Sequence, residues 1–145
     1  MKKALCLLAC FISTLAICQP QLDRVGLRDM TDASGNRTVH EITSAVAEKQ
    51  VAWDPEKQQP PLSVVDAVAI AKKWATAQYS KFEDLRVSSI ELSPMCMPQL
   101  KNRWFYTIQF EPTLYGKSVY GYEIFVVVLF DKTVVPSEKK EPRKY

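Results

Sequence analysis

The sequence predicts an α+β domain, one helix packed on a three- to four-stranded antiparallel meander, preceded by a signal peptide and a flexible leader. Three observations carry that expectation. Tyr122-Glu123-Ile124-Phe125-Val126-Val127-Val128-Leu129-Phe130 is β-branched or aromatic almost throughout, which suits a pleated sheet and disfavours a helix, where branching at Cβ restricts χ1. Residues 62–79 repeat apolar side chains at helical spacing, and residues 103–111 alternate with the period of two that a strand imposes. Left exposed, the 122–130 run would template aggregation, so the remainder of the domain has to cover it.

With 145 residues, 47% of them hydrophobic, the chain can bury a single core, and it shows no internal repeat. The formal net charge is +3, of which Lys2 and Lys3 supply two, so the rest is near neutral with interspersed signs. Nucleic acid and anionic membranes need a concentrated basic face, so neither is an expected partner.

Met1-Lys2-Lys3 is a positive n-region, Ala4 opens an apolar stretch that runs to Ile17, and Ala16-Ile17-Cys18 is a small-x-small cleavage pattern. Together they predict a signal peptide over residues 1–18, cleaved after Cys18, and a periplasmic or secreted product. A retained anchor is the alternative, but about 14 apolar residues fall short of the roughly 20 that span a bilayer. Leu15-Ala16-Ile17-Cys18 also resembles a lipoprotein signal with Cys18 as the lipidated residue, although Ile17 stands where a small residue is usual. Since Cys6, Cys10 and Cys18 fall in this segment, a soluble exported chain keeps Cys96 alone and forms no internal disulfide.

Residues 19–61 read as a flexible leader, a strand candidate and a Pro-rich linker. Residues 19–36 are polar, with the turn signal Asp32-Ala33-Ser34-Gly35-Asn36. Residues 38–53 fit both a helix, through Val39, Ile42 and Val46, and a strand, through Ile42, Ser44 and Val46. The extended reading is preferred because Asp54-Pro55 closes the segment and Trp53 needs a core surface. Pro55, Pro60 and Pro61 then stiffen a spacer.

The α+β domain spans residues 62–136. Ser63 followed by Asp66 fits a capping box, and Val64, Val68, Ala71, Ala75 and Tyr79 form one stripe flanked by Val65, Ala67 and Trp74. Three alanines let such a helix lie close on a sheet. Residues 85–92 read as a strand ending at Pro94, residues 103–111 as a second that Pro112 stops, and residues 122–130 as a third. After Asp131-Lys132-Thr133, Val134-Val135 adds a short edge pairing. Residues 137–145 read as a charged, solvated tail.

This order resembles the PepSY-type domains of exported bacterial proteins, which share a cystatin-like helix-on-sheet build. The resemblance rests on Leu62-Ser63-Val64-Val65-Asp66-Ala67-Val68-Ala69-Ile70-Ala71, on Trp104-Phe105-Tyr106-Thr107-Ile108, and on the 124–133 strand with its acidic turn. The usual Thr-Gly after that turn is missing, and Thr133-Val134-Val135-Pro136 follows instead. The resemblance implies a non-catalytic module that binds or restrains another exported protein or peptide, without a cofactor.

For chemistry the chain offers little. No phosphate loop, HExxH, GxSxG or EF-hand pattern occurs, so no catalytic residue is assigned. An alternative reading, an exported hydrolase or copper-handling protein, would use Cys96 with His40, the single histidine, or with the soft sulfurs of Met95 and Met97. Against it, Met and Cys also serve as adaptable core hydrophobes. Glu111 and Glu123 face one another across the expected hairpin, either as an acid pair or as solvated groups. The preferred binding surface is the aromatic connection of Tyr115, Tyr120 and Tyr122 with Lys117, whose simpler role is to pack the hairpin's end. Phe125, Val127 and Leu129 make the second face of the 122–130 strand apolar too, leaving it for the 38–53 segment or for a partner.

Overall fold

The computed structural model describes residues 23–32 and 35–141. The expected signal peptide with Cys18, residues 19–22 of the leader and residues 142–145 of the tail lie outside them. The fold is α+β, with two antiparallel sheets and one main helix.

The main sheet runs in the order β3 (Asp84–Pro94), β4 (Trp104–Leu114), β6 (Ile124–Leu129) and β7 (Val134–Val135), with β5 (Lys117–Ser118) pairing on β4. The expected meander is therefore present, and residues 124–129 sit at its centre. Ile108 stands opposite Val126 and Tyr106 opposite Val128, so aromatic and β-branched side chains pack across the strands. Pro112 does not end β4 as the sequence suggested. The last β4–β6 pair is Phe110 with Ile124, so the donor that proline lacks falls where β6 has already stopped.

The helix α2 (Val64–Gln78) crosses one face of this sheet. Ser63 caps it as expected, its hydroxyl accepting from the Asp66 N–H at 3.1 Å and donating to the Asp66 carboxylate at 2.8 Å. Ala67, Ala71 and Ala75 are buried along one line against Tyr106, Ile108, Phe110 and Val126, with Trp74 and Tyr79 at the margin. Val64, expected on the stripe, and Val65, expected beside it, are exposed. Leu62 fills the core position ahead of them, and its carbonyl accepts from the buried Tyr106 hydroxyl at 2.9 Å. Trp53 closes this side edge-on to Trp104 and Phe130, its indole N–H donating to the Gln58 carbonyl at 2.9 Å. That bond ties the Pro-rich linker to the core.

The other face of the main sheet is covered by a second sheet that the sequence reading missed, ordered β1 (Arg24–Thr31), β2 (Arg37–Thr43), β8 (Glu138–Lys140). Val25 and Ile42 pack on Phe105, Val127 and Leu129, so the apolar face expected to need the 38–53 segment or a partner is covered by that segment's Ile42 together with β1. The flexible leader and the charged tail are thus corrected in part: residues 24–31 and 138–140 are strands. Within the 38–53 segment both candidate conformations occur, since β2 is followed by a five-residue helix, α1 (Ser44–Glu48), capped by the Thr43 hydroxyl. Charged residues on β1, β2 and β8 pair with each other, Arg24 with Glu41 and Glu138, and Lys140 with both glutamates, so a polar sequence still builds a sheet.

Candidate functional site

The two sheets are pressed together at one end and part at the other. Leu129 and Val127 are fully buried, Phe125 is half-buried and Glu123 is exposed, so burial fades along β6 towards its start. A β-bulge in β1 between Gly26 and Arg28 breaks the alternation of the strand and brings Arg28 opposite His40 of β2. The Arg28 guanidinium lies over the Phe125 ring at 4.2 Å and donates to Glu91 of β3 at 3.2 Å. Beyond this contact the sheets enclose a cleft of about 990 Å³, walled by Met30, Thr38, His40, Tyr122 and Lys139 among others.

His40 is 1% exposed. Its Nδ1 lies 3.0 Å from the Val135 carbonyl oxygen, which can only accept, so Nδ1 carries the proton. Burial holds the imidazole below its ordinary pKa, the Val135 bond opposes that shift, and the Arg28 charge adds to it. The ring is neutral, and Nε2 is a buried acceptor with no hydrogen-bond partner among the described residues. An N–H or O–H donor that reached it would satisfy it.

The expected binding residues divide between two places. Tyr120 and Tyr122 line a shallow depression of about 310 Å³ with Glu111 and Glu123, and Tyr122 with Glu123 also borders the large cleft. Tyr120 is 102% exposed, whereas Tyr122 stacks against Phe82 at 5.2 Å with the Lys81 ammonium 4.9 Å above its ring. Tyr115 and Lys117 sit apart, at the tip of the β4–β5 hairpin. Tyr115 (φ 53°) and Gly116 (φ 69°) are both left-handed, as a two-residue hairpin turn demands, and the Gly116 N–H is anchored on the Glu83 carboxylate at 2.9 Å. Glu111 and Glu123 stand one rung beyond the Phe110–Ile124 pair, both exposed.

Residues of the alternative reading are not brought together. Met95 is buried and Met97 partly buried against the second core, while Cys96 between them is exposed with its Sγ 3.8 Å from the Pro94 carbonyl. His40 is engaged on β2 by Val135 instead. Among the described residues no cluster of three His, Cys, Asp or Glu side chains has metal-holding geometry. Arg28, Met30 and Lys139 were missed as candidates because the segments that carry them read as leader and tail, and Thr38 because the 38–53 segment was read for its packing alone; the isolated histidine was the one signal pointing there. Compared with protein-family models, curated proteins and solved structures, the chain matches none.

Proposed function

We propose that the chain is an exported, non-catalytic binding or regulatory module of PepSY-like type that takes a segment of another exported protein in the cleft between its sheets. The observation that carries this reading is His40 in the wall of the cleft, whose Nε2 has no hydrogen-bond partner among the described residues. A buried acceptor left unsatisfied costs about 1–3 kcal/mol, which an N–H from a bound chain recovers. Phe125 with Arg28 over its ring forms the floor, Tyr122 borders the cleft with an aromatic face and polar tip, and Tyr120 stands in the adjoining depression. Support for the PepSY-like assignment is the succession α2, β3, β4, β6, with the helix across one sheet face. Support for export is the N-terminal sequence alone.

A photo-crosslinking residue at Tyr120, compared with one at Lys73 on the exposed side of α2, tests the reading in cells that export the full chain. A discrete adduct at Tyr120 that is absent at Lys73, and that weakens when His40 is changed to Phe, supports it. Identical adduct patterns from both positions overturn it.

A further inference from the structure

The outer edge of the main sheet is β3, and its backbone directions follow from one hydrogen bond. The Pro112 carbonyl accepts from Val119 beside β5, so the even-numbered residues of β4 direct their backbone groups away from β3. Their partners on β3, namely Leu85 with Pro112, Val87 with Phe110, Ile90 with Ile108 and Leu92 with Tyr106, must turn their own N–H and C=O groups outward. The edge also exposes apolar surface, since Val87 is 40% and Ile90 42% accessible.

We propose that this edge is the interface of a symmetric dimer, in which a second copy of the chain adds its β3 antiparallel to the first about a two-fold axis between Ser88 and Ser89. The strand reads Leu85-Arg86-Val87-Ser88-Ser89-Ile90-Glu91-Leu92, which matches itself in reverse: leucine meets leucine, arginine meets glutamate, valine meets isoleucine and serine meets serine. A regular strand could not use this symmetry, because residues related about an axis between neighbours would point to opposite faces. The β-bulge between Val87 and Ser89 removes the conflict. It sets Leu85, Val87, Ile90 and Leu92 on the helix side, opposite Pro112, Phe110, Ile108 and Tyr106, and Arg86 and Glu91 on the other. Each reversed pair then shares a face, and the outward backbone groups of Leu85 and Val87 meet those of Leu92 and Ile90 in the second copy.

A bulge at an edge commonly discourages pairing. Here both copies carry it at the same point of the ladder, so the extra residues meet at the axis and the flanking registers stay aligned. Val87 and Ile90 cover each other's exposed surface, and Arg86, which forms no salt bridge among the described residues, shares the carboxylate of Glu91 with Arg28 and Ser93. The edge lies outside the cleft, but Glu91 also accepts from Arg28 at the cleft's border, so R86E, which leaves that pair intact, reads the interface alone.

Sedimentation equilibrium on the purified protein tests the dimer. R86E and E91R each place like charges opposite one another twice, once on either side of the axis, and each is expected to weaken association about tenfold or more. R86E/E91R restores opposite charges and the parent affinity. Ile90→Lys should give a monomer, with circular dichroism confirming that it stays folded. Amide exchange gives a second readout in the unmodified protein: the N–H groups of Val87, Ile90 and Leu92 become protected as concentration rises. A monomer at the highest soluble concentration overturns the proposal. So does a dimer that neither R86E nor Ile90→Lys weakens, or a double variant no tighter than the singles.

Discussion

The imidazole of His40 and the backbone of Val135 join the two sheets, Nδ1 of β2 donating to a carbonyl of β7 over 3.0 Å. This contact makes the stability of the fold sensitive to pH. Burial lowers the His40 pKa below 6.5, so the folded state resists a proton that the unfolded chain accepts freely. The contribution is fully present above pH 6.5 and declines as pH falls from there through the folded pKa, below which it changes no further. Urea midpoints measured from about pH 8 down to about pH 5 should therefore fall, and His40→Gln should flatten that descent while lowering the midpoint at the alkaline end. Parallel profiles for parent and variant would show that another group is responsible.

On the opposite face the corresponding tie is the Tyr106 hydroxyl on the Leu62 carbonyl, 2.9 Å long and buried. Tyr106→Phe keeps the ring among Phe130, Ile108 and Val128 but strands that carbonyl away from water. The expected cost is about 1–3 kcal/mol in chemical denaturation, because the lost donor leaves an acceptor to be desolvated alone.

The helix cap is open to solvent and isolates a smaller effect. Ser63→Ala removes the acceptor for the Asp66 N–H and should cost about 1 kcal/mol, whereas Ser63→Asn, which can still cap, should cost much less. Equal losses in the two variants would mean that the serine hydroxyl contributes nothing as an acceptor.

The main sheet and α2 were legible because α2 and β4 carry periodic patterns and β6, buried on both faces, is apolar throughout. Ser63 with Asp66, the 104–108 alternation and the 124–129 run each carry enough signal alone. The second sheet was not, for physical reasons that particular residues show. Arg24, Arg28, Arg37, Glu41, Glu138 and Lys140 make β1, β2 and β8 look soluble, yet Arg24 and Lys140 pair with Glu41 and Glu138 along the sheet, Arg37 pairs with Asp29, and Arg28 reaches across to Glu91 of β3. The bulge after Gly26 also breaks the period that would have revealed Val25, Leu27 and Met30 as one inner face. The candidate site suffered with it, since the cleft exists only where that sheet meets the main one. Its apolar need was visible in advance: Phe125, Val127 and Leu129 required a cover, and residues 24–43 supply it.

The sulfur-rich loop separates packing from accessibility. Met95 sits in the second core, so Met95→Ala should destabilise by about 2–5 kcal/mol, as buried truncations do. Cys96 is exposed, so it should react with a thiol reagent in the folded protein nearly as fast as in urea, and Cys96→Ser should leave stability within about 0.5 kcal/mol. Slow native labelling of Cys96 would place the thiol inside and contradict this orientation.

The turn after β6 holds a residue in a conformation that its side chain disfavours. Lys132 has φ 73°, and the turn around it is held by the Leu129 N–H on the Thr133 carbonyl at 2.9 Å and by the Thr133 N–H on the Asp131 carboxylate at 2.9 Å. A lysine there bears a clash between Cβ and the backbone of about 1–2 kcal/mol, which glycine does not have. Glycine in turn gives the unfolded chain more freedom, an opposing effect of about 0.4–1 kcal/mol. The first term is the larger, and the lysine side chain makes no hydrogen bond or ion pair among the described residues that would be lost. Lys132→Gly should therefore stabilise the protein by roughly 0.5–1 kcal/mol, read as a higher urea midpoint with an unchanged denaturant slope. Because the substitution shortens no strand and touches neither the cleft nor the β3 edge, binding and association should stay as they are. A lower midpoint would mean that the left-handed turn is not the native conformation at Lys132.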